Sequence, residues 1–158
     1  MLAVKPIEHD AGSARTLTTS IRAYAASVFA SAPAPVIDVH IDDELVLDWA
    51  TEAIVLRIVQ ETIGNVWRHA GARRVEVAVT ASSSSVHVDV TDDGRGFDPG
   101  SVVESGLATV RSFVALGRGS LDIDSSAHRG TTVHAALGRL GPVASTPQPT
   151  LRLVVNEP

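Results

Sequence analysis

The chain has no cysteine, which excludes a disulfide framework and a thiolate metal site. Aromatic residues are scarce, 4% of the 158 positions, so Val, Ala, Leu and Ile must fill the core. No apolar run approaches the roughly 20 residues needed to span a bilayer, and Met1-Leu2-Ala3-Val4-Lys5-Pro6 lacks the apolar stretch of a signal peptide. The expectation is a chain without membrane contact that works in the cytoplasm. Positive charge is also sparse: 13 Lys and Arg stand against 18 Asp and Glu, a net charge of −5. Phosphate backbones are bound by clustered basic residues, so this balance argues against a nucleic-acid partner. A single nucleotide remains compatible, because it needs only local positive charge and a magnesium ion. The length fits one domain, large enough to bury roughly two-thirds of its unfolded surface.

Hydrophobic spacing divides the chain. Met1 to Ser13 has no period and reads as a leader. Ser13 to Ala30 carries Leu17, Ile21, Tyr24, Ala25 and Val28 at intervals of three and four, a helix, broken by Ser31-Ala32-Pro33-Ala34-Pro35. Val36 to Ile41 alternates as a strand, and Asp42-Asp43-Glu44 ends it and is able to open the next helix. That helix is expected from about Asp48 to Ala70, with Leu56, Val59, Ile63 and Val66 as its core stripe opposite Glu61. On the same wheel Asn65 lies ~40°, Arg68 ~20° and His69 ~80° from Glu61, so four polar groups share a face. Ile54 and Ile58 join that side, which points to cover over an apolar purine pocket. Gly71 ends the helix. Arg73 to Thr80 and Ser85 to Thr91 alternate as a hairpin turned by serines 82 to 85, with the valines inward. Asp93 to Ser105 reads as a loop, Leu107 to Leu116 as a helix, Leu121 to Asp124 and Thr131 to Leu137 as strands. From Gly141 on, a Pro, Ser and Thr tail carries no packing signal and reads as disordered.

Two segments offer chemistry. Asp92 is followed by Gly94 and Gly96; a carboxylate accepts a hydrogen bond from the exocyclic amine of adenine, and glycines allow backbone to lie against a ligand. On the helix, Asn65 offers a hard amide oxygen that suits magnesium when phosphates supply other ligands. Glu61, one turn earlier, has the chemistry to orient a water or take a proton. Taken singly, each has a plainer reading: an Asp-Gly turn after a strand, a solvent-facing helix Asn, a solvated Glu.

Their combination resembles a known family. The Asn-bearing helix, the Asp-x-Gly-x-Gly turn, Gly106-Leu107 opening a helix and Gly130-Thr131 opening a strand occur in the order found in the catalytic ATP-binding domain of sensor histidine kinases. These domains share the Bergerat fold with Hsp90, type II topoisomerases and MutL. The wording Ile58-Val59-Gln60-Glu61 through Asn65, Arg68-His69-Ala70-Gly71-Ala72 and Asp92-Asp93-Gly94-Arg95-Gly96-Phe97 is most similar to the branch that signals to NarL/LuxR-type response regulators. The resemblance covers roughly Pro35 to Leu140. It implies a two-layer α/β (α+β) sandwich, a mixed and mostly antiparallel sheet with helices on one face. It divides the chain into a leader and linker helix (1–34), a catalytic domain (35–140) and a disordered tail (141–158). It also implies ATP and Mg2+ as cofactors, with Asn65 as metal ligand and Glu61 beside it as the acidic member of the motif. Arg68 and His69 would contact phosphates or close the pocket, Asp92 would bind the adenine amine, and Gly94 and Gly96 would permit the base-side turn. Gly106 would bring the helix N-terminus at Leu107 near the phosphates, and Thr131 would share a water with Asp92. The implied partner is a histidine phosphoacceptor domain, in cis or in trans, with a response regulator acting indirectly; the chain would be the cytoplasmic part of a signalling system, membrane-anchored or not.

The chain departs from the pattern in two places. Glu104-Ser105-Gly106-Leu107 stands where the family commonly has Gly-x-Gly-Leu, and the lid segment between Phe97 and Gly106 is short. His9-Asp10 superficially matches a phosphoacceptor pair, but only one helix fits between it and the Asn helix, so His9 reads as leader. Two further readings are an anti-sigma-factor-type serine kinase, and a degenerate module that binds nucleotide without phosphotransfer.

Overall fold

The computed structural model describes residues 13–31, 33–98 and 105–138. Helix α1 (Ser13–Val28) buries Leu17, Ile21 and Ala25, one turn apart, at 0%, 0% and 3% exposure. Strand β1 (Val36–Ile41) follows. The acidic triplet after it forms a turn and does not open the helix: the Leu45 N–H donates to the Asp42 carbonyl over 2.9 Å. Helix α2 (Trp49–Asn65) starts instead at Asp48, whose carboxylate accepts from the N–H groups of Ala50 (3.0 Å) and Thr51 (2.9 Å). Burial works against that carboxylate, yet the Thr51 hydroxyl and these backbone donors hold its pKa below the ordinary value.

The motif helix does not run as one α-helix to Ala70. After Asn65 it widens into a π-helical turn, Val66–Ala70, before Gly71 closes it with φ of 59°. The hairpin is β2 (Arg74–Ala81) and β3 (Ser85–Asp92), tightened by Ser82, whose N–H donates to the Ser85 carbonyl over 2.8 Å. Helix α3 (Ser105–Leu116), β4 (Ser120–Ser125) and β5 (Thr131–Gly138) complete the fold.

The five strands lie in the order β1-β2-β3-β5-β4; β1 pairs with β2 in parallel and the other pairs are antiparallel. Register places Val75, Val77, Val79, Val86, Val88, Val90, Val133, Ala135 and Leu137 on one face, all at most 2% exposed. Glu76, Asp89, Thr91, Thr132 and His134 alternate onto the other, polar face. On the apolar face α1 packs against β1, α2 against β3, and α3 against β4 and β5, with α2 touching both other helices. The result is the expected two-layer sandwich with a mixed, mostly antiparallel sheet.

Two expectations change. Ile58, read as cover for a purine pocket, is fully buried in the core, while Leu56 of the expected stripe is only partly buried. Because α2 is covered by the sheet below and by a helix on each side, its apolar arc is wider than one stripe and includes Val55, Ile58 and Thr62. Helix α1 contributes Ala14, Leu17, Ile21 and Ala25 to the same core as the residues that follow it. It lies alongside α2 in the same direction. Ser13 Oγ accepts from Leu47 N–H at one end (3.3 Å), and the Phe29 and Trp67 rings meet edge to face at the other, 5.7 Å apart. The expectations for His9, Glu104 and the tail concern residues outside the described ones.

Candidate nucleotide site

Strand alternation decides where Asp92 points. It ends β3 in phase with Val86, Val88 and Val90, so its side chain turns to the helix-covered face and is only 7% exposed. Opposite it in β5 stands Thr131, and opposite Thr131 in β4 stands Ser125. Burial pushes the Asp92 carboxyl pKa above its ordinary value; the Gly94 N–H, donating to Oδ1 over 2.8 Å, pulls it partly back, and the neighbouring Asp93 charge adds to the rise.

The glycines here are required by contact. A Cβ on Gly94 would lie 2.6 Å from both the Cβ and the carbonyl oxygen of Ala70, because the turn is laid directly on the end of the Asn helix. The Arg95 N–H donates to that same Ala70 carbonyl over 2.9 Å. Gly130 has φ of 76°, and a Cβ on it would meet the Asp92 carbonyl oxygen at 1.9 Å.

Ser125, which the expected strand ending at Asp124 left out, joins these parts. Its Oγ accepts from the Phe97 N–H (3.0 Å), donates to the Gly130 carbonyl (3.1 Å) and lies 3.0 Å from Thr131 Oγ1. With its one proton on Gly130, it receives the Thr131 proton, leaving lone pairs on Thr131 Oγ1 for another donor. Asp93 was also missed. Its Oδ1 accepts from the N–H groups of Arg73 (2.7 Å) and Arg74 (2.8 Å), closing the entry to β2. The Arg74 donor, ahead of the weaker Arg73 one, holds its pKa below the ordinary value against slight desolvation. An Asp followed by Asp-Gly carried no signal separating the two carboxylates beyond strand phase.

The other half of the site is open. Arg68 Nη2 donates to Asn65 Oδ1 over 2.8 Å, so these two predicted residues, three positions apart on the helix, are held together. The guanidinium lies over Gly64, where an added Cβ would be 3.3 Å from Nη1 and 3.5 Å from the Tyr24 hydroxyl of α1. Glu61 is half-buried and His69 exposed; neither side chain makes a hydrogen bond or ion pair among the described residues. Gly106 and Leu107 lie in the first turn of α3. The structure thus joins Asn65's helix to the Asp92 turn through Ala70, while no described contact ties Glu61, His69, Gly106 or Leu107 to that turn.

Among the described residues no group of three or more His, Asp or Glu is gathered to hold a metal alone. A hard amide oxygen on an open helix face instead fits an ion that keeps waters and takes most of its remaining ligands from phosphates.

The sequence profile of the histidine kinase-, DNA gyrase B- and HSP90-like ATPases matches residues 50–139. The chain belongs to this ATPase family. It is 33% identical over 85 residues to the oxygen sensor histidine kinase NreB of Staphylococcus carnosus, covering 52% of this chain and 24% of that protein. It is 27% identical over 93 residues to the sensor histidine kinase LnrJ of Bacillus subtilis, covering 59% of this chain and 23% of that one. The chain therefore spans about a quarter of the length of these relatives. Among solved structures, the histidine kinase domain of a blue-light activated kinase of Erythrobacter litoralis superposes with a TM-score of 0.69 at 20% identity, covering 87% of this chain and 66% of that one. The Acinetobacter baumannii histidine kinase AdeS gives 0.66 at 12% identity, covering 80% and 64%. Both show the same fold. No helix among the described residues of this ATPase domain is long and apolar enough to cross a membrane.

Proposed function

We propose that this domain binds magnesium–ATP and donates the γ-phosphate to a histidine on a separate phosphoacceptor domain, in cis or in trans, within cytoplasmic two-component signalling upstream of a NarL/LuxR-type regulator. The observation that carries the reading is the Arg95–Ala70 bond, which lays the Asp-x-Gly-x-Gly turn on the end of the Asn helix and makes one site of two distant motifs. In this reading the adenine amine donates to Asp92 and a water links the base to Thr131. The turn at Gly94 and Gly96 forms the wall beside the base. Asn65 is the protein ligand of the magnesium, which when bound neutralises phosphate charge. Arg68 and His69 face the phosphates, and the first turn of α3 at Gly106 and Leu107 offers backbone N–H groups to them. Glu61 orients the incoming imidazole or takes its proton. The nitrogen of that imidazole attacks the γ-phosphorus, the bond from phosphorus to the β–γ bridging oxygen breaks, and ADP leaves. Catalysis is then positioning plus charge neutralisation. Residues 35–140 form the catalytic unit in this reading, with α1 packed on it.

The test mixes the chain with γ-labelled ATP and a two-helix phosphoacceptor domain supplied in trans. An acid-labile, base-stable phosphohistidine on that domain is expected, with no label on the chain itself. Acid-stable phosphoserine on a partner would point instead to a serine kinase. Binding of ATP without any transfer, across cognate candidates, would reduce the domain to a nucleotide-binding module.

A further inference from the structure

We infer that Arg68 is a positioning residue with two stations: one bonded to Asn65 over Gly64, as in this structure, and one on the phosphate oxygens of a bound nucleotide. The inference rests on the nucleotide reading above and adds an order of events to it. Asn65 Oδ1 is the oxygen that the proposed function assigns to the cation, yet here it accepts a hydrogen bond from the Arg68 guanidinium over 2.8 Å. A guanidinium carries only donors and a full positive charge, so it and a divalent cation repel each other at one amide oxygen. Arg68 must therefore leave before the cation is ligated. Two local features build the first station. Three positions apart on one continuous helix, Arg68 and Asn65 are neighbours, and the guanidinium reaches back to the amide where the α-helix ends. Gly64 leaves open the space beside the guanidinium, 3.3 Å from where a side chain would begin. A phosphate offers the stronger second station, since its oxygens match the planar fork of donors that a neutral amide oxygen satisfies only singly. Phosphate arrival thus uncovers Asn65, and the cation enters with the nucleotide and not ahead of it.

The arrangement makes an unusual demand on binding without metal. In EDTA, ADP has to draw Arg68 off Asn65, and that lost contact opposes binding. Asn65→Ala removes the first station, so metal-free ADP should bind about two- to five-fold more tightly than to wild type, the size of one exposed charge-assisted hydrogen bond. Adenosine, which has no phosphate, should bind both equally. The gain should vanish in an Arg68→Gln background. Calorimetry on the full chain reads all three. Unchanged or weaker metal-free ADP binding in Asn65→Ala, with adenosine binding intact, would overturn the two-station inference while leaving the nucleotide site standing. Failure of wild type to bind ADP even with magnesium would remove the nucleotide reading itself. A ligand-free check uses the Asn65 side-chain amide resonances: Arg68→Gln should shift them in the empty protein and leave them unmoved in the magnesium–ADP complex. The reverse pattern would count against the first station.

Discussion

On what we propose as the base side of the site, Asp92, Gly94, Ser125 and Thr131 are held by backbone and hydroxyl bonds drawn from three strands and a helix end; on the proposed phosphate side, Asn65 and Arg68 share one exposed side-chain bond. Asp92 and Ser125 are buried and Thr131 half-buried, all in fixed positions; in the proposed role such an arrangement would give specificity, because a wrong base would leave a desolvated carboxylate poorly paired. The proposed phosphate side presents a solvated Arg68 side chain, which in our inference changes partners.

Substitution at matched glycines should break this comparison most strongly. Gly130→Ala puts a Cβ into the Asp92 carbonyl at a positive φ and should cost about 3 kcal/mol or more in urea denaturation, or prevent folding. Gly64→Ala, under the mobile Arg68, should stay within about 1 kcal/mol of wild type, because better helix propensity offsets the crowding. Similar losses at both positions would mean that the phosphate side is as fixed as the base side.

Asp92→Asn should separate stability from recognition. Adenosine affinity should fall by about 1–3 kcal/mol in calorimetry, since a charged acceptor is lost, and ATP should lose its advantage over GTP. Stability should not fall with it. The Asp92 pKa is raised on folding by burial, so the folded chain binds that proton more tightly than the unfolded one. Wild-type stability therefore declines as pH rises from the ordinary value of 3.8 through the raised pKa. That part of the decline should be missing from the Asn variant in denaturation curves taken across mildly acid pH. A variant that lost stability at neutral pH and kept its adenosine affinity would make Asp92 a structural residue.

The smallest effect is expected at Glu61. Half-buried and without a described partner, it should change stability by no more than about 0.5 kcal/mol as Glu61→Gln. If it acts on the incoming histidine, that variant slows transfer in trans while ATP affinity holds. Equal loss of binding and transfer would move Glu61 from the nucleophile to the nucleotide.

Much of this was legible in the chain itself. Apolar residues at two-residue intervals specified the strands and their inward valines, three- and four-residue spacing specified the helices, and the order of four motifs specified the family. Asp92's inward aim followed from phase alone, two residues beyond Val90. Other features depend on which elements close around a residue, and no local pattern encodes that. Ile58 belongs to the core because α2 is flanked on both sides, a fact of helix placement and not of the helix's own wheel. The widening of the helix after Asn65 into a π-helical turn is another such feature, its end tied to the Asp-x-Gly-x-Gly loop by the Arg95–Ala70 bond. Ser125 sits in an unremarkable polar run and acquires its partners only when register sets it against Thr131 and brings in Phe97, 28 residues away in sequence. Periodicity fixes which way each side chain faces; long-range closure fixes what it meets there.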